Sequence, residues 1–80
     1  MTKEEIYTKL NAVFQDVFDD DSIRVNDETT AADIEDWDSL SHITLISSIE
    51  AEFGVKFDMK TVLKMKNVGE LVSIIQTKLQ

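Results

Sequence analysis

Apolar residues recur at helical spacing in three long stretches of this chain. The first stretch follows Thr2 and Glu5, whose spacing is typical of a capping box at a helix N-terminus. Because residues three and four positions apart share one face of a helix, its apolar stripe predicts a helix over about Lys3–Phe18 with that face in a core. The stripe comprises Ile6, Leu10, Val13, Phe14, Val17 and Phe18.

The second stretch begins after Asp38, a residue type favoured at helix N-caps, and stops at Gly54, which favours a helix C-terminus. These two signals predict a second helix over about Ser39–Phe53. The apolar face predicted for it comprises Leu40, Ile43, Ile46, Ile49, Ala51 and Phe53, with Leu45 beside it.

Two further helices are predicted towards the C-terminus. Asp58 can cap a brief helix over Met59–Met65, and Asn67 with Glu70 has the spacing of another capping box. The stripe that follows predicts the last helix and comprises Val68, Leu71, Val72, Ile75 and Leu79. The apolar residues of the brief helix are expected to fill the core towards its neighbours; they are Met59, Val62, Leu63 and Met65.

Residues 19–37 lack a sustained period and are rich in Asp, Asn and Thr, which predicts a long loop. Ile23, Val25 and Ile34 are expected to hold it against the core. The chain has no proline, and strand-like alternation is missing. The pattern predicts an all-α fold, a small four-helix bundle with three main helices and one short helix, in a single domain over residues 1–80. No long heptad run or surplus apolar face is evident, so a monomer is expected.

The net charge of −8 is unevenly distributed. Residues 16–38 contain ten acidic residues against Arg24 alone, a charge of −9, and the rest contains six acidic residues and seven lysines, a charge of +1. An acidic domain repels nucleic acid, so a protein partner with a basic face is the better expectation. Many of these acids need no role beyond keeping the loop solvated.

The chain contains no cysteine, so any thiol chemistry must come from a cofactor. The acidic run from Asp19 does not fit a calcium-binding EF-hand, because Ile23 stands where an oxygen ligand belongs and Arg24 where glycine is needed. No specific metal site is therefore expected. The chain lacks both the roughly 20 apolar residues that span a membrane and a signal-peptide pattern, so a cytoplasmic location without membrane insertion is expected.

The strongest candidate for chemistry is the tripeptide Asp38-Ser39-Leu40 at the predicted start of the second helix. The Ser39 hydroxyl is expected to face water at the positive end of a helix dipole. An attached anion is favoured there by about 0.3–1 kcal/mol and lies beside free backbone N–H groups. The tripeptide alone is weak support, because common residues produce it by chance and a serine in a first helical turn needs no function.

In its wider context this tripeptide resembles the signature of the acyl carrier protein family, in which Asp-Ser-Leu opens the second helix. The resemblance spans nearly the whole chain. It is carried by the stretch Asp36-Trp37-Asp38-Ser39-Leu40-Ser41-His42-Ile43, the stripe of residues 6–18, the loop residues Glu28, Thr29, Asp33 and Ile34, the helix end at residues 50–54 and the helix start at residues 68–71.

The resemblance implies that Ser39 carries 4′-phosphopantetheine, transferred from coenzyme A by a phosphopantetheinyl transferase. Asp38 and Leu40 would then belong to the motif that this transferase recognises. It also implies a carrier without catalytic activity, which holds acyl intermediates as thioesters. The carrier would present them to acyl-loading and acyl-transferring enzymes of fatty-acid or related lipid or specialised biosynthesis.

The chain departs from the family where partner enzymes dock. Many members carry acidic residues soon after the serine, whereas this chain has Ser41, His42 and Thr44 there. These three residues and Trp37 are the expected partner contacts. The region of the short helix is basic instead, with Lys56, Lys60, Lys64 and Lys66 against Asp58. A dedicated set of partners outside central fatty-acid synthesis is therefore expected.

Two alternatives remain open. An aminoacyl carrier of the D-alanyl type would suit Trp37 and the few acids of the second helix, and an unmodified helical adaptor would use the same fold only for binding. An enzyme that pairs Ser39 with His42 as nucleophile and base is disfavoured, because no orienting group, oxyanion hole or cleft is evident. A solvated surface histidine or a partner contact is the favoured interpretation of His42.

Overall fold

A computed structural model describes residues 1–79 of the chain as an all-helical fold. Helix α1 is Lys3–Val17, α2 is Ser39–Phe53, α3 is Met59–Lys64 and α4 is Val68–Leu79, and a short 3₁₀ helix, Ala31–Asp33, interrupts the long loop between α1 and α2. The part of the chain described contains no strand. The predicted all-α bundle of three main helices and one short helix is confirmed. None of the helices in residues 1–79 has the length and apolar character needed to cross a membrane.

The helix ends follow the local signals closely. The Thr2 hydroxyl accepts from the Glu5 amide at 3.2 Å, while the Glu5 carboxylate accepts from the Thr2 amide at 3.0 Å, which completes the capping box of α1. Helix α2 has the predicted bounds, and Gly54 ends it in the left-handed region at a φ of 67°. Helices α1 and α3 each end one residue earlier than predicted, because Phe18 and Met65 serve as C-caps with non-helical backbone angles.

Helix α1 packs against both α2 and α4, and the core lies between them. Its buried face matches the predicted stripe, since Ile6, Leu10 and Phe14 are completely buried. From α4, Val68, Leu71, Val72 and Ile75 are completely buried on the opposite side. Burial of apolar surface on these facing stripes is the main stabilising contribution to a bundle of this kind.

The face that α2 turns towards the core differs from the predicted one. Leu45, Ile46, Ile49 and Phe53 are buried, whereas Leu40 is 79% exposed and Ile43 is 53% exposed. The prediction was wrong for these two residues and for Ala51, which is also exposed. Helix α2 holds more apolar residues than one arc can bury, and contact with α1 selects the arc that contains Leu45.

Surplus apolar side chains therefore remain on the surface between α2 and α3. Met59 is 52% exposed and Leu63 is 67% exposed, in addition to Ile43. We call Ile43, Met59 and Leu63 the apolar rim. The expectation that no surplus apolar face exists was wrong, because the short helix α3 buries Val62 and leaves its other apolar residues outside the core.

The long loop is held in place by hydrogen bonds to α1 and α4. The Val25 amide donates to the Asn11 side-chain oxygen at 2.7 Å, and the Val68 amide at the start of α4 donates to the Thr29 carbonyl at 2.8 Å. Val25 is buried, while Ile23 and Ile34 pack against the core, as predicted. These contacts fix the segment that leads into the first turn of α2.

Candidate functional site

Asp38 organises the first turn of α2. Its carboxylate accepts from the Leu40 amide at 3.0 Å and from the Ser41 amide at 2.9 Å, so the predicted N-cap is confirmed. These hydrogen bonds, first of all the one from the Ser41 backbone, hold the pKa of the Asp38 carboxyl below its usual value. Asp38 is therefore an ionised cap beside Ser39 at neutral pH.

The two serines of this turn differ in their surroundings. The Ser41 hydroxyl donates to the Asp36 carbonyl at 2.8 Å and accepts from the Asp38 amide at 2.7 Å, so it is part of the capping box. The side chain of Ser39 is exposed, and within residues 1–79 its hydroxyl makes no hydrogen bond. Of the two, only the Ser39 hydroxyl is unengaged and open to an approaching enzyme.

Three backbone amides of this turn, those of Leu40, Ser41 and His42, are not the free donors expected for an anion on Ser39. The amides of Leu40 and Ser41 both donate to Asp38, and the His42 amide donates to the Asp38 carbonyl at 2.9 Å. The expectation of free N–H groups was wrong at these positions, because the N-cap carboxylate already occupies the positive end of the helix. A phosphodiester on Ser39 would therefore extend towards solvent.

Trp37 lies in the core beside this turn. Its side chain is only 8% exposed, and its ring meets that of Phe14 edge to face at a centroid distance of 5.3 Å and that of Phe18 at 6.3 Å. This burial argues against Trp37 as a direct partner contact. The indole instead packs between the aromatic rings of the core and the first turn of α2.

His42 connects the Trp37 indole to α3. The Trp37 indole Nε1–H donates to His42 Nδ1 at 3.0 Å, and His42 Nε2 lies 3.2 Å from the Val62 carbonyl oxygen. The interpretation of His42 as a solvated surface side chain was wrong, because it is half-buried and both ring nitrogens are engaged. No ring nitrogen is left to take a proton from Ser39, which argues against a nucleophile and base pair.

The sequence does hold a signal for this contact. Asp38 is the N-cap, so Trp37 occupies the position before the cap and His42 the fourth position of the helix. Residues at these two positions commonly meet as a hydrophobic staple. Here the staple includes a hydrogen bond, which a search for apolar pairs alone does not find.

A pocket of about 600 Å³ opens between α2 and α3 next to this turn. Ser39 and His42 line it together with the apolar rim, and Lys66 and Asp38 are the charged residues of its wall. Met59 and Leu63 were predicted to fill the core. They border an open pocket instead. The buried member of the short helix is Val62, which is 1% exposed.

The charges around the pocket are divided between its two sides. The exposed acids Glu35, Asp36 and Asp38 precede α2, while the exposed lysines Lys56, Lys60, Lys64 and Lys66 surround α3. Within residues 1–79, the ion pairs are Lys3–Asp27 and Lys9–Glu52, neither of which involves these lysines. In the same residues, no three acidic or histidine side chains converge in a way that could hold a metal ion.

Comparisons with known proteins agree with this geometry. A family model described as "Phosphopantetheine attachment site" matches residues 8–75. The chain is 35% identical over 78 residues to the acyl carrier protein of Thermotoga maritima, with 98% of this chain and 96% of that protein covered. It is 32% identical over 79 residues to the acyl carrier protein of Petrotoga mobilis, with 99% of this chain and 93% of that protein covered.

A solved structure is also similar to this fold. The solution NMR structure of holo acyl carrier protein from Geobacter metallireducens superimposes with a TM-score of 0.85 at 46% sequence identity. The match covers 91% of this chain and 84% of that one.

Proposed function

Because this chain belongs to the acyl carrier protein family, whose members carry a covalently attached 4′-phosphopantetheine, we propose that Ser39 is its attachment site. One observation carries the proposal: the Ser39 hydroxyl is exposed and unengaged, whereas the hydroxyl of Ser41 is held inside the capping box. The rigid N-cap of Asp38 presents Ser39 at the end of a helix, where a transferase can reach it.

The residues around Ser39 fit the group on chemical grounds. The arm supplies a terminal thiol that holds an acyl group as a thioester, chemistry that this cysteine-free chain lacks. Ser39 provides the single hydroxyl needed for a phosphodiester, and the open side of the first turn leaves room for it. Lys66 lines the same pocket as Ser39, and its positive charge partly offsets the negative charge that a phosphate would add there.

The experiment is a modification assay on the unmodified chain. Incubation with coenzyme A, magnesium and a promiscuous phosphopantetheinyl transferase, followed by intact-mass measurement, is expected to show one added phosphopantetheine. Ser39→Ala is expected to abolish the shift, and the matched control Ser41→Ala is expected to retain it. The absence of a shift in the wild type, or a shift that survives in Ser39→Ala, rejects the proposal and favours an unmodified adaptor.

We further propose that the chain presents its cargo without catalysing a reaction. The family is one of carrier proteins, and both ring nitrogens of His42 are occupied by Trp37 and Val62. A serine-reactive fluorophosphonate is therefore expected to leave the chain unlabelled. Labelling of Ser39 that disappears in His42→Ala would contradict this part of the proposal.

Proteins of this family interact with phosphopantetheinyl transferases and with acyl-handling enzymes. For this chain we propose that Asp38 and Leu40 take part in recognition by the transferase, since Leu40 is 79% exposed immediately after the modified serine. Thr44 is exposed and Ser41 partly so, and we propose that both lie in the contact with a partner, although the Ser41 hydroxyl stays engaged in the capping box. The apolar rim between α2 and α3 extends the same surface.

The charges of this surface suit a dedicated set of partners outside central fatty-acid synthesis. The exposed side of α2 has no acidic residue before Glu50, and lysines surround α3. Acids introduced at Ser41 and Thr44 are expected to improve transfer by standard fatty-acid enzymes, because they restore attraction to basic docking sites. No gain from the double variant would count against this assignment.

The cargo proposed is an acyl group. The relatives from Thermotoga maritima and Petrotoga mobilis are named acyl carrier proteins, which favours acyl over aminoacyl cargo for this chain as well. Mass analysis of the loaded arm released from cells is expected to find acyl thioesters. A D-alanyl or other aminoacyl thioester as the main species would favour the aminoacyl alternative.

A further inference from the structure

The imidazole of His42 contacts two other parts of the molecule, the loop before α2 and helix α3. One nitrogen receives the hydrogen bond from Trp37 in the loop, the other faces Val62 in α3, and the residue itself belongs to the first turn of α2. The chain contains one histidine and one tryptophan. The whole contact therefore depends on a single titratable ring between two fixed partners.

The two partners allow only one protonation state of this ring. An indole N–H can only donate, so His42 Nδ1 must be unprotonated to accept from Trp37. A carbonyl oxygen can only accept, so Nε2 must carry the proton that is donated to Val62. The geometry therefore requires the neutral imidazole in its Nε2–H form.

A second proton on the ring disrupts this arrangement. Protonated Nδ1 would face the indole N–H of Trp37, donor against donor, and Trp37 is held by Phe14 and Phe18 in the core. The two rings are nearly parallel, at 21°, with centroids 5.9 Å apart and a hydrogen bond between their edges. The cation would therefore meet the electropositive edge of the indole and not its electron-rich face.

The charged groups around the ring offer little compensation. Asp38 lines the same pocket, but its carboxylate is engaged by the amides of Leu40 and Ser41. Lys66, which follows α3, is the other charged residue of that wall and repels a cation. His42 also lies in the first turn of α2, where the helix dipole disfavours positive charge.

The hydrogen bond to Val62 matters because α3 is short. Its six residues, Met59–Lys64, are too few to be stable alone. In a longer helix the Val62 carbonyl would accept from the Lys66 amide, but that amide donates to the Glu70 carboxylate instead. Within residues 1–79 the Val62 carbonyl has no backbone donor, so His42 satisfies an otherwise unpaired acceptor at the end of α3.

We propose that His42 is a proton-controlled latch that holds α3 beside the pocket at Ser39. The neutral ring ties Val62 to Trp37 and keeps the pocket wall in place. Because the ring is rigid, a rotation that relieves the contact between protonated Nδ1 and Trp37 also moves Nε2 away from Val62. Acidification therefore releases α3 and widens the pocket, whether or not Ser39 is modified.

The test uses NMR on the unmodified, isotope-labelled chain at about pH 8 and about pH 5, because histidine changes charge between these values. At the higher pH, the imidazole is expected in the Nε2–H form, with the Trp37 indole N–H protected from exchange. At the lower pH, that protection is expected to fall at least about tenfold, since a buried donor loses its acceptor. The amide shifts of residues 59–64 are expected to move in the same titration step.

Two variants separate the latch from a general effect of pH. His42→Gln removes the titrating ring and is expected to abolish the step in residues 59–64. Trp37→Phe keeps an aromatic ring but removes the indole N–H, so protonated Nδ1 no longer faces a donor and Nε2 can stay hydrogen-bonded to Val62. The step in residues 59–64 is therefore expected to be much smaller than in the wild type. An unchanged step in His42→Gln, or in a Trp37→Phe variant that circular dichroism shows to be folded, overturns the proposal.

Two measurements on the wild-type chain also test the proposal. A neutral imidazole in the Nδ1–H form, or a Trp37 indole N–H equally protected at both pH values, also overturns the proposal. If Trp37→Phe does not fold, His42→Gln and these two measurements decide the outcome.

Discussion

The Gly69 amide donates a hydrogen bond to the Asp27 carbonyl at 3.0 Å, and a Cβ built on Gly69 would stand 2.8 Å from the same oxygen. The start of α4 and the long loop therefore approach as closely as backbone atoms permit. Asp27 has little freedom to withdraw, because its carboxylate accepts from Lys3 at 2.7 Å and also from the Tyr7 hydroxyl. The contact fixes the loop that leads to Ser39.

Gly69→Ala is expected to destabilise the fold by about 1–3 kcal/mol, because the added methyl group displaces backbone and not a flexible side chain. Urea unfolding followed by circular dichroism measures this change. Ser73→Ala on the exposed side of the same helix is the matched control and is expected to change stability by less than about 0.5 kcal/mol. Equal losses in the free energy of unfolding for the two variants would show that the close approach of Gly69 to Asp27 does not limit the side chain at position 69.

The burial of α2 predicts a contrast between two leucines five positions apart. Leu45 is completely buried and Leu40 is 79% exposed. Leu45→Ala is expected to lower the free energy of unfolding by about 2–5 kcal/mol, because it leaves a cavity in the core. Leu40→Ala is expected to change it by less than about 0.5 kcal/mol. A larger loss from Leu40→Ala in urea unfolding would instead support the face of α2 that the sequence pattern predicts.

Local signals were sufficient to predict the helices of this chain. Asp38 and Gly54 act through hydrogen bonds and backbone angles within a few residues of themselves, and α2 begins and ends where they indicate. Which arc of α2 is buried depends on contact with α1, and α1 is separated from α2 in the sequence by the long loop. Ile43 was misassigned for that reason, since an apolar residue on a helix with apolar neighbours on several sides does not reveal which side is covered.

The candidate site was predictable in part. The Asp38 cap is visible in the sequence, and the exposure of Ser39 follows from its place in the first helical turn. The bridge made by His42 was missed because its partners, Trp37 and the Val62 carbonyl, are brought together only by the packing of loop and α3. The engagement of the Leu40 and Ser41 amides by Asp38 was missed for a simpler reason: a strong N-cap uses the donors that an added anion would need.

Gly54 is required for its backbone angle and not for lack of space. Its φ is 67°, and no atom lies within 4 Å of a Cβ built there. Gly54→Ala is therefore expected to cost about 1 kcal/mol through left-handed backbone strain, and Gly54→Asn is expected to cost less, because asparagine tolerates this region better. Urea unfolding of the two variants measures the order. A smaller loss for alanine than for asparagine would contradict the backbone explanation.

The N-cap of α2 predicts a pH dependence with a defined sign. Hydrogen bonds from the Ser41 and Leu40 amides lower the pKa of Asp38 in the folded chain, so its contribution to stability is present above the unfolded value of about 3.9 and is lost as the pH falls through the folded pKa. Asp38→Asn keeps a capping oxygen without the charge, so the difference in Tm between wild type and variant is expected to shrink as the pH falls from about 6 to about 3. Asp36→Asn, at an exposed carboxylate outside the capping box, is the matched control and is expected to show no such convergence. A difference for Asp38→Asn that stays constant over this range would show that the ionised cap does not stabilise the turn that presents Ser39.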